Sequence, residues 1–227
     1  MSTIKTAQIR TKKAVFLVDD HPLVRDWLSR LINEETDLEV TGWADNADTA
    51  ISSIERLQPE IIIIDIGLRG KSGLELIRFL TDQNPDLLIL VLSMHDEAVY
   101  ASRALKAGAR GYVSKREATE KVILAIRRLL MGGMYISESL AEALALGITR
   151  NRNAPSAGDV SLLSDRELEV FRLLAMGRET SEIAKDLSVS LKTVQSYCAR
   201  IKDKLNLRNA TELLQAATRW FDAQNAG

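Results

Sequence analysis

The sequence predicts an α/β doubly wound, flavodoxin-like (β/α)5 domain followed by a small all-α domain, and three observations predict it. Between residues 14 and 131, short apolar runs alternate five times with longer helical patterns, the arrangement that builds a parallel sheet covered on both faces. Two of the runs end in acids: residues 14–18 lead into Asp19-Asp20, and residues 61–64 lead into Asp65. From residue 161 onward no run has strand character, and apolar residues recur at helical spacing instead.

Strands are expected at 15–19, 38–43, 61–65, 87–93 and 111–113. The runs ending in acids are short, β-branched or aromatic, and bounded by turn signals, as suits buried strands of a parallel sheet. Helices are expected at 22–34, 47–57, 72–82, 98–107 and 118–130. Pro22 stands early in the first helix, where a missing N–H costs little. Gly108 and Gly132 stand where the fourth and fifth end. The strand order that fits is 2-1-3-4-5. Gly132-Gly133 then breaks the pattern, residues 137–146 are compatible with a short helix, and 147–159 are rich in Asn, Arg, Gly, Ser and Pro, a linker composition. The division is therefore a domain at 14–132, a linker at 133–160 and a helical domain at 161–227. In the last, Ser164 with Glu167 forms a capping box and Gly177 closes that helix. Thr180 or Ser181 caps a helix at 182–187, Ser190 caps one at 191–205, and a fourth covers 210–221.

Side chains just past the carboxyl ends of strands line the ligand crevice of an open α/β sheet. Asp19, Asp20 and Asp65 would meet there with no local counter-charge. Like charges within about 4–6 Å disfavour mutual ionisation, so the cluster calls for a cation, and oxygen-only ligands favour Mg²⁺. Acids also cap helices that follow strands, but two acidic strand ends in one domain, one of them doubled, favour the metal pocket.

The 227 residues carry 30 Lys and Arg against 31 Asp and Glu, a net charge of −1. Charge is uneven: residues 1–146 carry −3 and 161–227 carry +1. Between Ser190 and Arg208, five basic residues face Asp203 alone. Cys198 is the one cysteine, which excludes an intrachain disulfide and a Cys-based metal site. The segment up to Lys13 is polar and basic, unlike a signal peptide, and no stretch reaches the roughly 18 apolar residues of a membrane span. A cytoplasmic protein with no membrane partner is expected.

The first domain resembles the receiver domain of bacterial response regulators. The residues that carry the likeness are Asp19-Asp20 after the first strand, Asp65 after the third, Ser93 after the fourth and Lys115 after the fifth, with Gly73 and Tyr112. The resemblance implies that Asp65 accepts a phosphoryl group from a sensor histidine kinase. It implies Mg²⁺ held by Asp20, Asp65 and the carbonyl of Gly67, with Asp19 acting through water. Lys115 and Ser93 would contact phosphoryl oxygens, and Ser93 and Tyr112 would form the switch. A half-buried structural aromatic is the other reading of Tyr112. Leu68-Arg69 and Arg116 depart from the Met-Pro and Lys-Pro pairs common in receivers, and Gly67 and His95 stand where water approaches the acyl phosphate.

The segment from Leu163 to Leu213 resembles the LuxR-type helix-turn-helix domain through Ser164, Glu167, Gly177, Glu182-Ile183-Ala184, Ser190, Thr193-Val194 and Lys204-Leu205, among others. Joined to a receiver, it is similar to the NarL/FixJ family. Residues 188–190 make the short turn of such a unit. Val194, Ile201 and Leu205 face the core, and Lys192, Gln195, Ser196, Ala199, Arg200 and Lys202 the other side. The resemblance implies that Gln195, Ser196 and Ala199 read base edges while Lys192, Thr193, Arg200 and Lys202 meet phosphates. A phosphorylation-gated, non-enzymatic transcription regulator is therefore expected, with double-stranded operator DNA and RNA polymerase as partners. It would form a homodimer when phosphorylated, through the apolar last helix, and at rest the receiver would cover that helix or the recognition helix. The alternatives are a phosphorylation-independent adaptor and a flavodoxin-like enzyme. The latter needs a phosphate-cradling Ser/Thr/Gly loop where this chain has Asp19-Asp20-His21-Pro22.

Overall fold

The computed structural model describes residues 12–68, 70–94, 97–138, 140–142 and 160–225. The N-terminal segment to residue 11, Arg69, His95 and linker residues 143–159 lie outside the described residues. Of the short helix expected at 137–146, residues 137, 138 and 140–142 are described, and all but 137 are helical.

Five parallel strands, β1 (Lys13–Val18), β2 (Leu38–Ala44), β3 (Ile61–Ile64), β4 (Leu88–Ser93) and β5 (Gly111–Ser114), form one sheet in the order β2-β1-β3-β4-β5. Between and after them run α1 (Pro22–Asn33), α2 (Ala47–Leu57), α3 (Gly73–Gln83), α4 (Glu97–Lys106) and α5 (Ala118–Leu130). Side chains alternate across the sheet. Val15, Leu17, Ile61, Ile63, Leu90 and Leu92 pack with Leu28 and Ile32 of α1 and with Val122 and Ile126 of α5. Phe16, Val18, Ile62, Ile64 and Val91 face the other way, onto Ile54, Ile77 and Ala104 of α2, α3 and α4. Each buried isoleucine of β3 contributes roughly 1.5–3 kcal/mol, which makes this central strand the anchor of the site that follows it.

Local chemistry sets the helix starts. The Asn46 side chain accepts the Thr49 N–H at 3.0 Å before α2, and Ser72 accepts that of Leu74 at 3.2 Å before α3. After α5 the chain departs from the expected linker. Tyr112 donates its N–H to the Tyr135 carbonyl at 2.8 Å, and Tyr135 donates to Arg110 at 3.1 Å. The returning segment thus runs parallel to β5 and satisfies an edge that would otherwise be open. Its residues looked like linker because the partners of Tyr135, Arg110 and Tyr112, lie more than twenty residues back in the chain.

The helical part begins with a 3-10 turn (Val160–Leu162) and continues as α6 (Asp165–Ala175), α7 (Thr180–Asp186), α8 (Leu191–Leu205) and α9 (Ala210–Asn225). Ser164 and Glu167 form the expected capping box on α6. α7 starts two residues earlier than expected: Glu179, rather than Thr180 or Ser181, is its N-cap residue and donates its N–H to Glu182 at 3.0 Å. Ser190 caps α8 through the Thr193 N–H at 3.1 Å. Leu168, Phe171, Ile183, Val194, Ile201 and Leu213 close the core. Trp220 leans on Phe171 with ring centroids 5.5 Å apart.

Glu167 links two of these helices. Its carboxylate, 3% exposed, accepts the Ser164 N–H at 2.7 Å and the Lys204 ammonium at 2.6 Å. Burial pushes its pKa up, but the Lys204 and Ser164 donors outweigh burial and hold it below the ordinary value. A group depressed in the folded state adds stability above its unfolded pKa, about 4.3, and that stability is lost as pH falls through the folded value. Urea midpoints should therefore drop more steeply between about pH 5 and 3 in the wild type than in Glu167→Gln. Parallel profiles would contradict the pairing.

Candidate functional site

Asp19 and Asp20 open the loop after β1 and Asp65 follows β3. The strand order reverses between these two neighbours, so the loops diverge and leave a crevice. One ligating atom from each of Asp19, Asp20, His21 and Asp65 lies within 4.8 Å of the others. Asp19 and Asp65 are buried. The expectation of acids without counter-charge is corrected here: Lys115, just past β5, places Nζ 2.6 Å from Asp19 Oδ2 and 2.6 Å from Asp65 Oδ2. Burial pulls the Lys115 pKa down, yet the Asp65 and Asp19 carboxylates outweigh it and hold the ammonium above its ordinary value. Lys115 stays charged at neutral pH.

The remaining oxygens are also placed. Asp65 Oδ1 accepts the Gly67 N–H at 3.1 Å, and Asp19 Oδ1 accepts the His21 N–H at 2.8 Å. His21 Nδ1 lies 2.8 Å from Asp20 Oδ1 and 3.1 Å from Asp19 Oδ1, and the Asp19 contact has hydrogen-bond geometry. Three carboxylates against one ammonium leave excess negative charge, and their oxygens suit a hard divalent cation. A cleft of about 300 Å³ opens beside the pocket, lined by His21, Val24, Trp27, Met94, Lys115 and Thr119.

Ser93 is fully buried at the end of β4, and its hydroxyl hydrogen-bonds with the Tyr112 phenol. Tyr112 is 1% exposed, so the half-buried reading of this ring is corrected. Burial raises its pKa well above the ordinary phenol value. Tyr100 of α4 is buried nearby, and burial pushes its phenol up to about 12.

The helical part presents a second candidate surface. On α8, Lys192, Gln195, Ser196, Ala199 and Arg200 are exposed, and Thr193 and Lys202 are half-buried. The Thr193 hydroxyl pairs with Ser190 Oγ at 2.8 Å, and Ser196 donates to the Lys192 carbonyl at 2.9 Å. The Arg200 guanidinium lies 5.9 Å from the Tyr197 ring centroid. The basic stretch is narrower than its sequence, because Lys204 is committed to Glu167 and Arg208 approaches Glu212 at 4.0 Å.

Residues 15–127 match the response regulator receiver domain, and residues 161–217 match the bacterial regulatory proteins of the luxR family. Oxygen regulatory protein NreC of Staphylococcus carnosus is 35% identical over 207 residues, covering 89% of this chain and 95% of that protein. The chain is a NarL/FixJ-family response regulator. An RcsB structure from Salmonella typhimurium, 27% identical, covers 92% of this chain and 98% of that one with a TM-score of 0.68. RcsB from Salmonella enterica serovar Typhimurium, bound to a promoter with the phosphomimetic BeF₃⁻, is 26% identical and covers 92% and 99% with a TM-score of 0.63.

In this response regulator the receiver grips the LuxR-type domain through α3 and α4. Arg103 of α4 donates to the Leu163 carbonyl at 2.8 Å, to Asp165 at 3.0 Å and to the Val160 carbonyl at 3.3 Å. Arg78 of α3 reaches the other Asp165 oxygen at 3.0 Å, and Arg166 makes a two-pronged pair with Glu75 at 2.9 and 3.1 Å. Gly70, in the loop after Asp65, donates to the Asp186 carbonyl at 3.4 Å. These contacts engage α6 and the end of α7, and of the two coverings expected, of the last helix or of the recognition helix, the second is corrected: the outward face of α8 stays open. In α9, Leu213 and Ala217 close the core while Leu214 remains 45% exposed. Of the expected site residues, the structure brings Asp19, Asp20, Asp65 and Lys115 together. The sequence reading missed Arg103, Asp165 and Arg78, whose partners are distant in the chain, and did not place His21 in the pocket. No helix among the described residues is long and apolar enough to cross a membrane.

Proposed function

We propose that this regulator accepts a phosphoryl group on Asp65 from the phosphohistidine of a sensor kinase and thereby gates DNA binding by its LuxR-type domain. The observation that carries this reading is the Lys115 ammonium bridging Asp19 and Asp65 at 2.6 Å each. It marks the place in the acidic pocket where added negative charge would be met. One Asp65 oxygen attacks phosphorus, the phosphorus–nitrogen bond of the kinase phosphohistidine breaks with its electron pair going to that nitrogen, and the ring, already protonated on its other nitrogen, leaves as neutral imidazole. The carboxylate is already anionic, so no general base is needed. Asp20, Asp65 and the Gly67 carbonyl would hold Mg²⁺, with Asp19 acting through water, and that ion supplies charge neutralisation at the reacting oxygens. Lys115 turns from Asp65 to a phosphoryl oxygen as a mobile point charge. A hydroxyl both donates and accepts, so Ser93 can donate to the phosphoryl group while Tyr112 responds. Tyr112 and α4 then form the bistable element, and α4 carries the Arg103 contacts to the helical domain.

Asp20→Ala tests the metal assignment. It should weaken Mg²⁺ binding with little loss of fold, because removing a like charge relieves repulsion in the metal-free pocket. A fluorescence titration with unchanged Mg²⁺ affinity would remove Asp20 from the ligand set.

On DNA, Gln195, Ser196 and Ala199 would read base edges, and Lys192, Thr193, Arg200 and Lys202 would contact phosphates. Paired domains read two half-sites, so a homodimer is the binding form and Leu214 is the outward apolar residue it would use. RNA polymerase would be the downstream partner, and the regulator would act in the cytoplasm with no enzymatic turnover of its own. Lys192→Ala should lower the slope of log K against log salt by about one. Gln195→Ala should instead cost on the order of 1–3 kcal/mol at the cognate site and relax sequence preference. Equal weakening on all sequences would count against Gln195 as a base reader.

A further inference from the structure

Arg25 occupies the buried stripe of α1, where Leu28 and Ile32 are its helical neighbours. It is 9% exposed. Burying a guanidinium is costly unless its donors and charge are met, and among the described residues no carboxylate pairs with it. Two contacts hold it instead. Nη1 donates to the Asp19 backbone carbonyl at 2.6 Å, and the guanidinium lies 4.2 Å from the Trp43 ring centroid. Trp43, near the end of β2, is 55% exposed, a large apolar surface left in water where an arginine would otherwise reach out to solvent. The ring holds the guanidinium inward.

The carbonyl it grips belongs to the Asp19–Asp20 peptide. On the other side of that peptide, Asp19 Oδ1 accepts the His21 N–H at 2.8 Å, closing a local turn. With both sides tied, the direction in which the Asp20 carboxylate leaves the backbone is set. We propose that Arg25, clamped by Trp43, is a positioning residue for the divalent-cation site, acting through the Asp19–Asp20 turn. This rests on reading the acidic pocket as a Mg²⁺ site.

Charge and positioning predict opposite signs, which makes the inference testable. If Arg25 acted only as a nearby cation, removing it would tighten Mg²⁺ binding. As a positioning residue, its loss weakens binding by about tenfold, as for other partners that orient ligands. The experiment is an NMR titration of the full-length chain with MgCl₂ for wild type, Arg25→Met, Trp43→Ala and Trp43→Phe. Expected are a roughly tenfold weaker affinity in Arg25→Met and Trp43→Ala, recovery in Trp43→Phe, and displaced Asp20 and His21 amide resonances before any Mg²⁺ is added. Acetyl phosphate labelling should return to the wild-type rate at saturating Mg²⁺. Unchanged or tighter binding in folded Arg25→Met overturns the proposal; if that variant does not fold, unchanged binding in Trp43→Ala does so. A wild type that binds no Mg²⁺ overturns the metal reading itself, and the two failures are thus separable.

Discussion

Asp65→Asn should reduce labelling by acetyl phosphate to the level of an unreacted control, while Asp20→Ala keeps a residual signal at high Mg²⁺. The two carboxylates differ in role although they share a pocket. Asp65 supplies the oxygen that bonds to phosphorus, and an amide at that position is a far poorer nucleophile. Asp20 contributes to a cation shell that water can partly complete. Asp65→Asn also removes one of the two acids that hold Lys115, without changing the shape of the site. Mass spectrometry of the intact protein reads both results. A phosphoryl adduct on Asp65→Asn of wild-type yield would move the acceptor elsewhere.

The largest structural effect is expected at Gly73. A Cβ at this first residue of α3 would lie 2.3 Å from the Asp65 carbonyl oxygen, 2.7 Å from Ile66 Cα and 3.0 Å from the Asp65 carbonyl carbon. All three are backbone atoms, so no side chain can turn aside. The Gly73 N–H also bonds the Ile66 carbonyl at 3.1 Å, which keeps α3 against the loop that carries the acceptor. Gly73→Ala should cost roughly 3 kcal/mol, the upper end of overpacking penalties, and lower the Tm by about 10 °C. It should slow labelling as well, since the displaced backbone is that of Asp65. A Tm within about 2 °C of wild type would mean that the contact is looser than the structure has it.

Gly73 illustrates what was legible in the sequence. The strands, the helices and the acids at strand ends follow from local patterns: runs of β-branched residues, caps such as Ser164 and Ser190, and glycines at helix ends. Strand order then brings Asp19 and Asp65 together, because β1 and β3 are neighbours whose following loops diverge. Lys115 was expected near a phosphoryl group, but its bridging of Asp19 and Asp65 depends on three loops converging, which no local pattern encodes. Arg25 carried no signal in the sequence, since nothing near it announces the carbonyl and ring that bury it. The grip of Arg103 and Arg78 on Asp165 spans 62 and 87 residues, so neither could be read from spacing. Tyr135 looked like linker for the same reason: its partners are backbone groups of Tyr112 in β5 and of Arg110 just before it.

Phosphoryl gating of DNA binding is the central claim, and the measurement that tests it most directly is operator affinity with stoichiometry. A site would be selected from a random DNA pool by the full-length protein treated with beryllofluoride and Mg²⁺. Binding to it would then be followed by analytical ultracentrifugation for wild type and Asp65→Asn, with and without the phosphoryl mimic. The account predicts that the mimic raises wild-type affinity by at least about tenfold and shifts the complex from one to two protein chains per site, with Asp65→Asn unresponsive. Coincident curves for all four samples, or a single chain bound under activating conditions, would contradict it.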